Sequence, residues 1–519
     1  MSRVFSCDRE SPVVSTDAGK IRGFQLDGTY VFQGIKYADA ERFMKPQPVK
    51  PWEGVIDAHS YGYVCPLMQQ DKPNGELMVP HRYWPFSEHC QYLNVWTQHL
   101  DRDAKKPVLV WLHGGGFSAG SSIEQQCYDG QALSEKGDVV VVSINHRLNI
   151  LGYFDLSPFG EKYKYSANAG SWDMVAALQW IHNNIAEFGG DPENVTLFGQ
   201  SGGGMKVWTL MNTPEADGLF HKGVIQSGLI DGFVSDKPQN GEKIVKAVMK
   251  ELKIKKVEQL ETIPYPEFAA AYLKVKPELE MAGEYVGCTP VPDDFYLGDP
   301  RVIGFTDHAK TIPTMCGTCF AEFAFGRGID KYNTPDEEVI EMLKKKYRKH
   351  GEEKVEKLIE LYKEAYPEKS LGDLLYVDSL FRNPSRDFNL KKAEHQEAPS
   401  YSYIFKYDFN YDGGKAAWHC SDLPFFFANT ALVPVANEVG VTDELEDNMS
   451  GALLAFAKTG NPNYGTLPEW PACKPGDEAV MLFDKVNLVK HNFDHELQAL
   501  HAEMAPSFAE LFSAEPIQH

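Results

Sequence analysis

The sequence predicts an α/β architecture: a mostly parallel, doubly wound sheet with helical insertions. Two observations lead there. Nearly continuous apolar runs rich in β-branched residues recur through the first half of the chain, as in strands buried on both faces of a parallel sheet. Between them lies a segment with apolar residues three and four apart, the spacing of a helix packed on a sheet. Strand, helix and strand in alternation build a doubly wound sheet.

Taken in order, residues 107–112 (PVLVWL) and 139–145 (VVVVSIN) are the first two strand candidates. Residues 172–187 (WDMVAALQWIHNNIAE) read as a helix. Residues 195–199 (VTLFG) and 223–227 (GVIQS) are two further strands. From about 240 to 395 the pattern turns helical. There Thr334-Pro335-Asp336-Glu337 reads as a helix start with Thr334 as N-cap, and Gly351 as a stop. A second helical pattern runs through Val355, Leu358, Ile359 and Tyr362 to Pro367. The lysines and glutamates of this stretch form the solvated faces of amphipathic helices. Strands return at 401–406 (YSYIFK) and 480–483 (VMLF). No repeat or low-complexity linker interrupts the chain, so residues 1–519 read as one catalytic domain with a helical insertion at about 240–395.

Composition excludes several classes of function. The 519 residues are 43% hydrophobic and 24% charged, enough to bury a sizeable core. The net charge of −22, from 51 basic and 73 acidic residues, repels phosphate backbones and anionic lipid. No nucleic-acid partner is expected. The polar start MSRVFSCDRESPVV and the absence of any apolar run of membrane length predict a cytoplasmic protein with no membrane partner. Nine cysteines, thinly spread, do not make a disulfide scaffold. Cys316 and Cys319 form a C-x-x-C, but no second pair and no histidine pair accompanies it, so it reads as two reduced core thiols rather than a metal site. No metal and no cofactor are expected. Oligomeric state leaves no mark in the sequence.

Two glycine-rich segments point to chemistry. Gly199-Gln200-Ser201-Gly202-Gly203 follows directly on the strand VTLF and precedes a helical stretch. A nucleophilic serine on a sharp strand-to-helix turn needs small neighbours, and glycine occupies positions 199, 202, 203 and 204. The competing reading is a glycine-rich turn with an idle serine. His113-Gly114-Gly115-Gly116-Phe117 ends the strand PVLVWL, and such a run leaves backbone N–H groups able to converge on an oxyanion. No G-K-[ST] follows, so a phosphate-binding loop is the poorer reading. His113 beside this loop reads as structural rather than as a general base.

At these motifs the sequence resembles the type-B carboxylesterases, the family of the cholinesterases and bacterial para-nitrobenzyl esterases. The family signature stands uninterrupted as FGGDPENVTLFGQSGG at 188–203. Further matching pieces are FQGIKYADAERF (32–43), SEHCQYLNVW (87–96), NHRLNILGYF (145–154), IQSG (225–228), GTCFAEF (317–323), HCSDLPFFF (419–427) and FAKTGNPN (456–463). The resemblance implies an α/β-hydrolase fold and a serine carboxylester hydrolase acting on a small-molecule ester. It implies Ser201 as nucleophile, His419 as general base and Glu322 as the acid orienting the histidine, with Asp293 and Asp294 as rival acids nearby. The oxyanion donors implied are the N–H groups of Gly115, Gly116 and Gly202. Arg42 with Glu88, and Arg147 with Asp173, match two structural salt bridges. Cys65 and Cys90 match the family's first disulfide, expected reduced in a cytoplasmic protein. Glycine at 202, where the family usually has alanine, suggests a looser turn. Lys36 stands where proline is usual, and His89 and Gln91 flank Cys90 where aspartate and leucine are usual.

The triad does not separate an esterase of short-chain or aryl esters from a lipase, a feruloyl-type esterase, a lactonase or an amidase. A non-catalytic binding relative is the alternative of a different class; it would lack triad members, and here none is missing. Between Cys65 and Cys90 the polar QQDKPNGE (69–76) and the aromatic Tyr83-Trp84-Pro85-Phe86 read poorly as an interface-activated lid. The aromatic residues read either as local core or as the wall of a gorge for flat or short groups. Trp84 and Phe117 are the candidate substrate contacts.

Overall fold

The β-branched runs of the first half become neighbouring strands. The computed structural model describes residues 3–69, 80–235, 238–324 and 328–506. The described chain forms two compact units. Everything up to Val224, together with Gly232–Ile312, makes the first; Ile225–Asp231 and the chain from Pro313 onward make the second.

In the first unit, β1 (Thr29–Lys36), β2 (Tyr92–Thr97), β3 (Lys106–Leu112), β4 (Val140–Ile144) and β5 (Gly190–Gln200) lie in the order β1-β2-β4-β3-β5; β6 (Lys222–Gln226) begins in this unit and has its last two residues in the second. β1 and β2 pair antiparallel, as do β2 and β4, and β4, β3 and β5 run parallel. Every residue of β4 is buried, as are Val108–Leu112 of β3, which is why they read as unbroken apolar runs. The helix between them and β5 is α1 (Ala169–Asn184), followed by a short 3-10 turn over Ile185–Phe188. α2 (Gly202–Met211) is buried along its whole length. Arg147 and Asp173 form a wholly buried ion pair at 2.7 Å, and Arg42 Nε donates to Glu88 at 2.6 Å. Cys65 and Cys90 are buried free thiols. α3 (Glu242–Glu251) and α4 (Tyr265–Met281) begin the helical stretch.

The helical stretch is interrupted in the second unit by β7 (Thr314–Cys319), so residues 240–395 are not one helical block. Cys316 and Cys319 sit within β7, buried and outside any disulfide. α5 (Asp336–Lys346), α6 (Glu352–Ala365) and α7 (Arg382–His395) follow. Thr334 does not cap α5: its hydroxyl donates to Asp330 O at 2.6 Å, and the helix begins two residues later with three acidic residues in its first turn, favourable for the helix dipole. β8 (Ser400–Phe405) and β9 (Ala479–Phe483) run parallel to β7 in the order β7-β8-β9, and β10 (Leu488–His491) closes that edge antiparallel. Among the described residues no helix is long and apolar enough to cross a membrane.

Candidate active site

β5 delivers Ser201 to the surface of a tight turn. The chain leaves the strand at Gln200, and α2 starts at Gly202. Ser201 itself adopts φ 56 and ψ −125, a left-handed region that costs an ordinary side chain energy and recurs at functional turns. A side-chain carbon on Gly199 would collide with Gly203, one on Gly203 with Leu112 O, and one on Gly202 with the N, Cα and O of Gly116. Glycine at 202 therefore marks a tighter turn, not the looser one expected from the resemblance. The loop backbone lies so close that even one methyl group has no space.

That neighbouring backbone is the glycine loop at the end of β3. Gly115 and Gly116 have φ 86 and 62, open to glycine at little cost. Three successive carbonyls are fixed. Lys206 Nζ donates to His113 O at 2.8 Å, His113 Nδ1 donates to Gly114 O at 2.9 Å, and the N–H groups of Ser118 and Ala119 donate to Gly115 O at 3.2 and 3.0 Å. Fixing the carbonyls fixes the peptide planes, and with them the direction of the N–H groups of Gly115 and Gly116. A Cβ on Gly114 would stand 3.5 Å from Ser201 Cβ, so the loop runs alongside the serine. Ser201, Gly115, Gly116 and Gly202 are thus gathered at one place in the first unit. His113 is buried and stacks on His146 at 5.0 Å. Burial, helped by the nearby Lys206 and His146, holds its imidazole well below the usual range.

The second unit brings Glu322 and His419 together from positions 97 residues apart. His419 Nδ1 donates to Glu322 Oε2 at 2.5 Å, and His419 N donates to Glu322 O at 2.6 Å. Glu322 stands just beyond β7 and is wholly buried. Its other oxygen accepts from Ser227 Oγ and Cys319 N, both at 2.7 Å. The imidazole is stacked by Phe381 and met at a tilt by Phe323, each centroid 5.0 Å away. Burial pushes the Glu322 carboxyl up to about 8, against the pull of its two donors. Burial also pushes the His419 imidazole down to about 4, against the charges of Asp422 and Asp378. Both shifts have one cause: the dry site resists charge. The rival acids are engaged elsewhere. Asp293 Oδ1 caps the N–H groups of Phe295 and Tyr296 at 2.9 Å, and Asp294 pairs with Lys164 at 2.8 Å on the surface.

Four residues near these groups escaped the sequence reading. Ser227 and Asp378 belong to the second unit; Lys206 and Glu124 belong to the first. Asp378 and Asp422 are buried carboxyls that burial and the Glu322 charge push up to about 7. Asp378 accepts from the N–H groups of Leu380, Phe381 and Arg382, and Asp422 from the Tyr403 hydroxyl. Lys206 left one signal: a cation in the otherwise uncharged run GGGMKVWTLM immediately after the serine.

Of the candidate substrate contacts, Trp84 is half-buried and meets Tyr61 edge to face at 5.6 Å. Its neighbours Tyr83 and Phe86 are 50% and 63% exposed, which argues against local core. These rings share a cavity of about 70 Å³ with Gly120, Ser121 and Glu124, the residues that follow the glycine loop. Phe117 is wholly buried, packed edge to face on Tyr153 at 5.2 Å. The polar segment preceding the aromatic residues lies, from residue 70 to 76, outside the described residues.

The Carboxylesterase family model matches residues 10–500. The chain belongs to the carboxylesterase family. It is a carboxylesterase of α/β-hydrolase fold, and its reaction is the hydrolysis of carboxylic esters. The para-nitrobenzyl esterase of Bacillus subtilis (strain 168) is 31% identical to it over 504 residues, covering 93% of this chain and 97% of that protein. The phenmedipham hydrolase of Pseudarthrobacter oxydans is 30% identical over 495 residues, with 91% and 94% covered. Among solved structures, an esterase from anaerobic Clostridium hathewayi, described as able to hydrolyse aliphatic aromatic polyesters, superposes with a TM-score of 0.93 at 51% identity, covering 97% of this carboxylesterase and 100% of that chain. A thermophilic para-nitrobenzyl esterase superposes at 0.73 with 29% identity, over 94% and 99% of the two chains.

Proposed function

We propose that this carboxylesterase cleaves soluble short-chain or aryl esters through an acyl-enzyme, with both units acting as one catalytic domain and Ser201, His419 and Glu322 as its triad. The observation that carries the triad is the 2.5 Å bond from His419 Nδ1 to Glu322 Oε2, which sets the tautomer with its lone pair on Nε2. A serine hydroxyl is a weak nucleophile and needs such a base. Ser201 Oγ bonds to the ester carbonyl carbon as its proton passes to His419 Nε2. The carbonyl oxygen becomes an oxyanion facing the N–H groups of Gly115, Gly116 and Gly202. As the tetrahedral intermediate collapses, the alkoxide leaves with the proton from His419. Water then repeats the sequence on the acyl-enzyme, releasing the acid and restoring Ser201.

The substrate reading rests on the exposed rings of Tyr83 and Phe86 beside Trp84, which offer flat faces to an aryl group. The C. hathewayi relative's activity on aliphatic aromatic polyesters supports a site that accepts an aromatic group. Phe117, wholly buried, supports the glycine loop from beneath in this reading. The test combines Ser201→Ala with a graded panel of p-nitrophenyl and benzoate esters and an emulsified triglyceride. Ser201→Ala should lose turnover by a factor of about 10⁶ while unfolding at a similar temperature. Aryl and short-chain esters should give the highest kcat/KM, with no rate jump as substrate forms micelles. Turnover by Ser201→Ala within about tenfold of the parent would sink the nucleophile assignment, and strong activation at an oil–water interface would replace the esterase reading with a lipase.

A further inference from the structure

Lys206 is a wholly buried lysine on the second turn of α2, five positions after Ser201. Burying an ammonium group is costly unless its charge and protons are satisfied. What satisfies this one is the glycine loop. The Nζ donates to the carbonyl of His113, the residue before the three glycines, at 2.8 Å. The same Nζ stands 5.8 Å from the ring centroid of Phe117, the residue after them. One cation therefore touches the first and last residues of the His113–Phe117 loop. The opposite charge acting on it is Glu124, half-buried, whose Oε1 comes close to Gly120 because that position has no side chain. Burial pulls the lysine down to about 7, and the Glu124 charge opposes that pull.

We propose that Lys206 is a positioning residue for the oxyanion loop: its ammonium, partnered by Glu124, grips the loop at both ends and holds the Gly115 and Gly116 N–H groups where the tetrahedral oxyanion forms. This rests on Ser201 being the nucleophile. Lys206 touches neither ester nor reacting atoms. Its contribution is to a geometry needed only in the transition state, so its loss acts on kcat and not on ground-state binding. A lysine kept merely to fill space would instead change stability and leave turnover per folded site as it was.

The test titrates Ser201 with a p-nitrophenyl alkylphosphonate, in which the serine oxygen bonds to phosphorus and p-nitrophenolate leaves, so that turnover is counted per reactive site. Lys206→Met keeps the length and apolar stem but removes the charge and the donor. It should lower kcat on p-nitrophenyl butyrate by about 10- to 100-fold with KM within about twofold, and slow phosphonylation in parallel, at an undiminished final titre. Glu124→Gln should lower kcat by a smaller factor with the same split. A kcat per titrated site within about twofold of the parent in Lys206→Met, or a loss carried by KM, overturns the proposal. If Lys206→Met does not fold, Glu124→Gln decides: an unchanged kcat overturns the proposal and a KM-independent fall supports it. A parent enzyme that takes no phosphonate on Ser201 is a different result, overturning the triad itself.

Discussion

At the scale of single residues, the site is governed by what burial does to charge and what close packing does to volume. Glu322 and His419 share one hydrogen bond and one proton in a dry pocket, and they titrate as a pair. In the proposed triad turnover needs the imidazole neutral and the carboxylate ionised, so it should fall as the solution becomes acidic, between the raised value of about 8 for Glu322 and the lowered value of about 4 for His419. The carboxylate stabilises the imidazolium and so lifts the pH at which the base is lost. Glu322→Gln should therefore reduce kcat by about 10³- to 10⁴-fold with KM little changed, and shift the acid limb of the remaining activity downward, toward the His419 value. A limb displaced to higher pH in this variant would contradict the assigned role. Gly202→Ala restores the residue usual in the family, yet here it drives a methyl group into the backbone of Gly116. It should cost about 1–3 kcal/mol by overpacking and lower kcat by at least about tenfold by displacing oxyanion donors, read by thermal unfolding and steady-state kinetics. A fully active, equally stable Gly202→Ala would show that the loop yields freely.

At the scale of elements, the site is built from strand ends. β5 hands Ser201 to α2, β3 hands over to the glycine loop, and β7 leads into Glu322. On the proposed assignment the reactive groups stand just past strand carboxyl ends, which combines a rigid base with room for special backbone. Within the second unit, α7 starts at a buried ion-pair network. Arg382, its first residue, forms a buried network with Glu478 at 2.7 Å and Asp494 at 2.8 Å, and the Arg382 N–H also donates to Asp378. Glu478, Asp494 and His495 have the proximity of a metal-ligand cluster, but the guanidinium already pairs with both of its carboxylates. Arg382→Ala should therefore destabilise the fold by about 3–5 kcal/mol, because it takes the guanidinium from two buried carboxylates. Unfolding in urea checks this; a midpoint unchanged by the substitution would mean that the carboxylates find water or protons at no cost. The element-level pattern was readable to within a few residues in the strands, whose neighbours in sequence are apolar on both faces. It was less readable at Thr334, where the hydroxyl prefers a turn carbonyl to the helix start, and across 240–395, where β7 is a six-residue strand of modest hydrophobicity between helices.

At the scale of the whole molecule, the charge of −22 sets the field that a substrate meets. An anionic aryl ester should be repelled and a neutral one should not. Raising NaCl from ~0.01 to ~0.3 M, which shortens the Debye length from about 30 Å to below 8 Å, should raise kcat/KM for a carboxylate-bearing ester and leave a neutral isostere within about twofold. Equal salt responses for the two would show that the field at the site is not that of the net charge. The same acidity repels an anionic lipid surface.

By itself the sequence determined the parallel sheet, the serine turn, the glycine loop and the family. These are written in runs of adjacent residues, because strand burial and tight turns constrain neighbours along the chain. Only the tertiary structure decided the matters that depend on distant residues meeting. It bonded Glu322 to His419 and tied Asp293 and Asp294 to other partners. It showed the Gly202 turn to be tight, because the limiting atoms belong to Gly116, far off in the chain. It found Lys206 buried against the His113 carbonyl, 93 positions away. A charge in a sequence reads as solvated unless something says otherwise, and what says otherwise is packing, which no local pattern records.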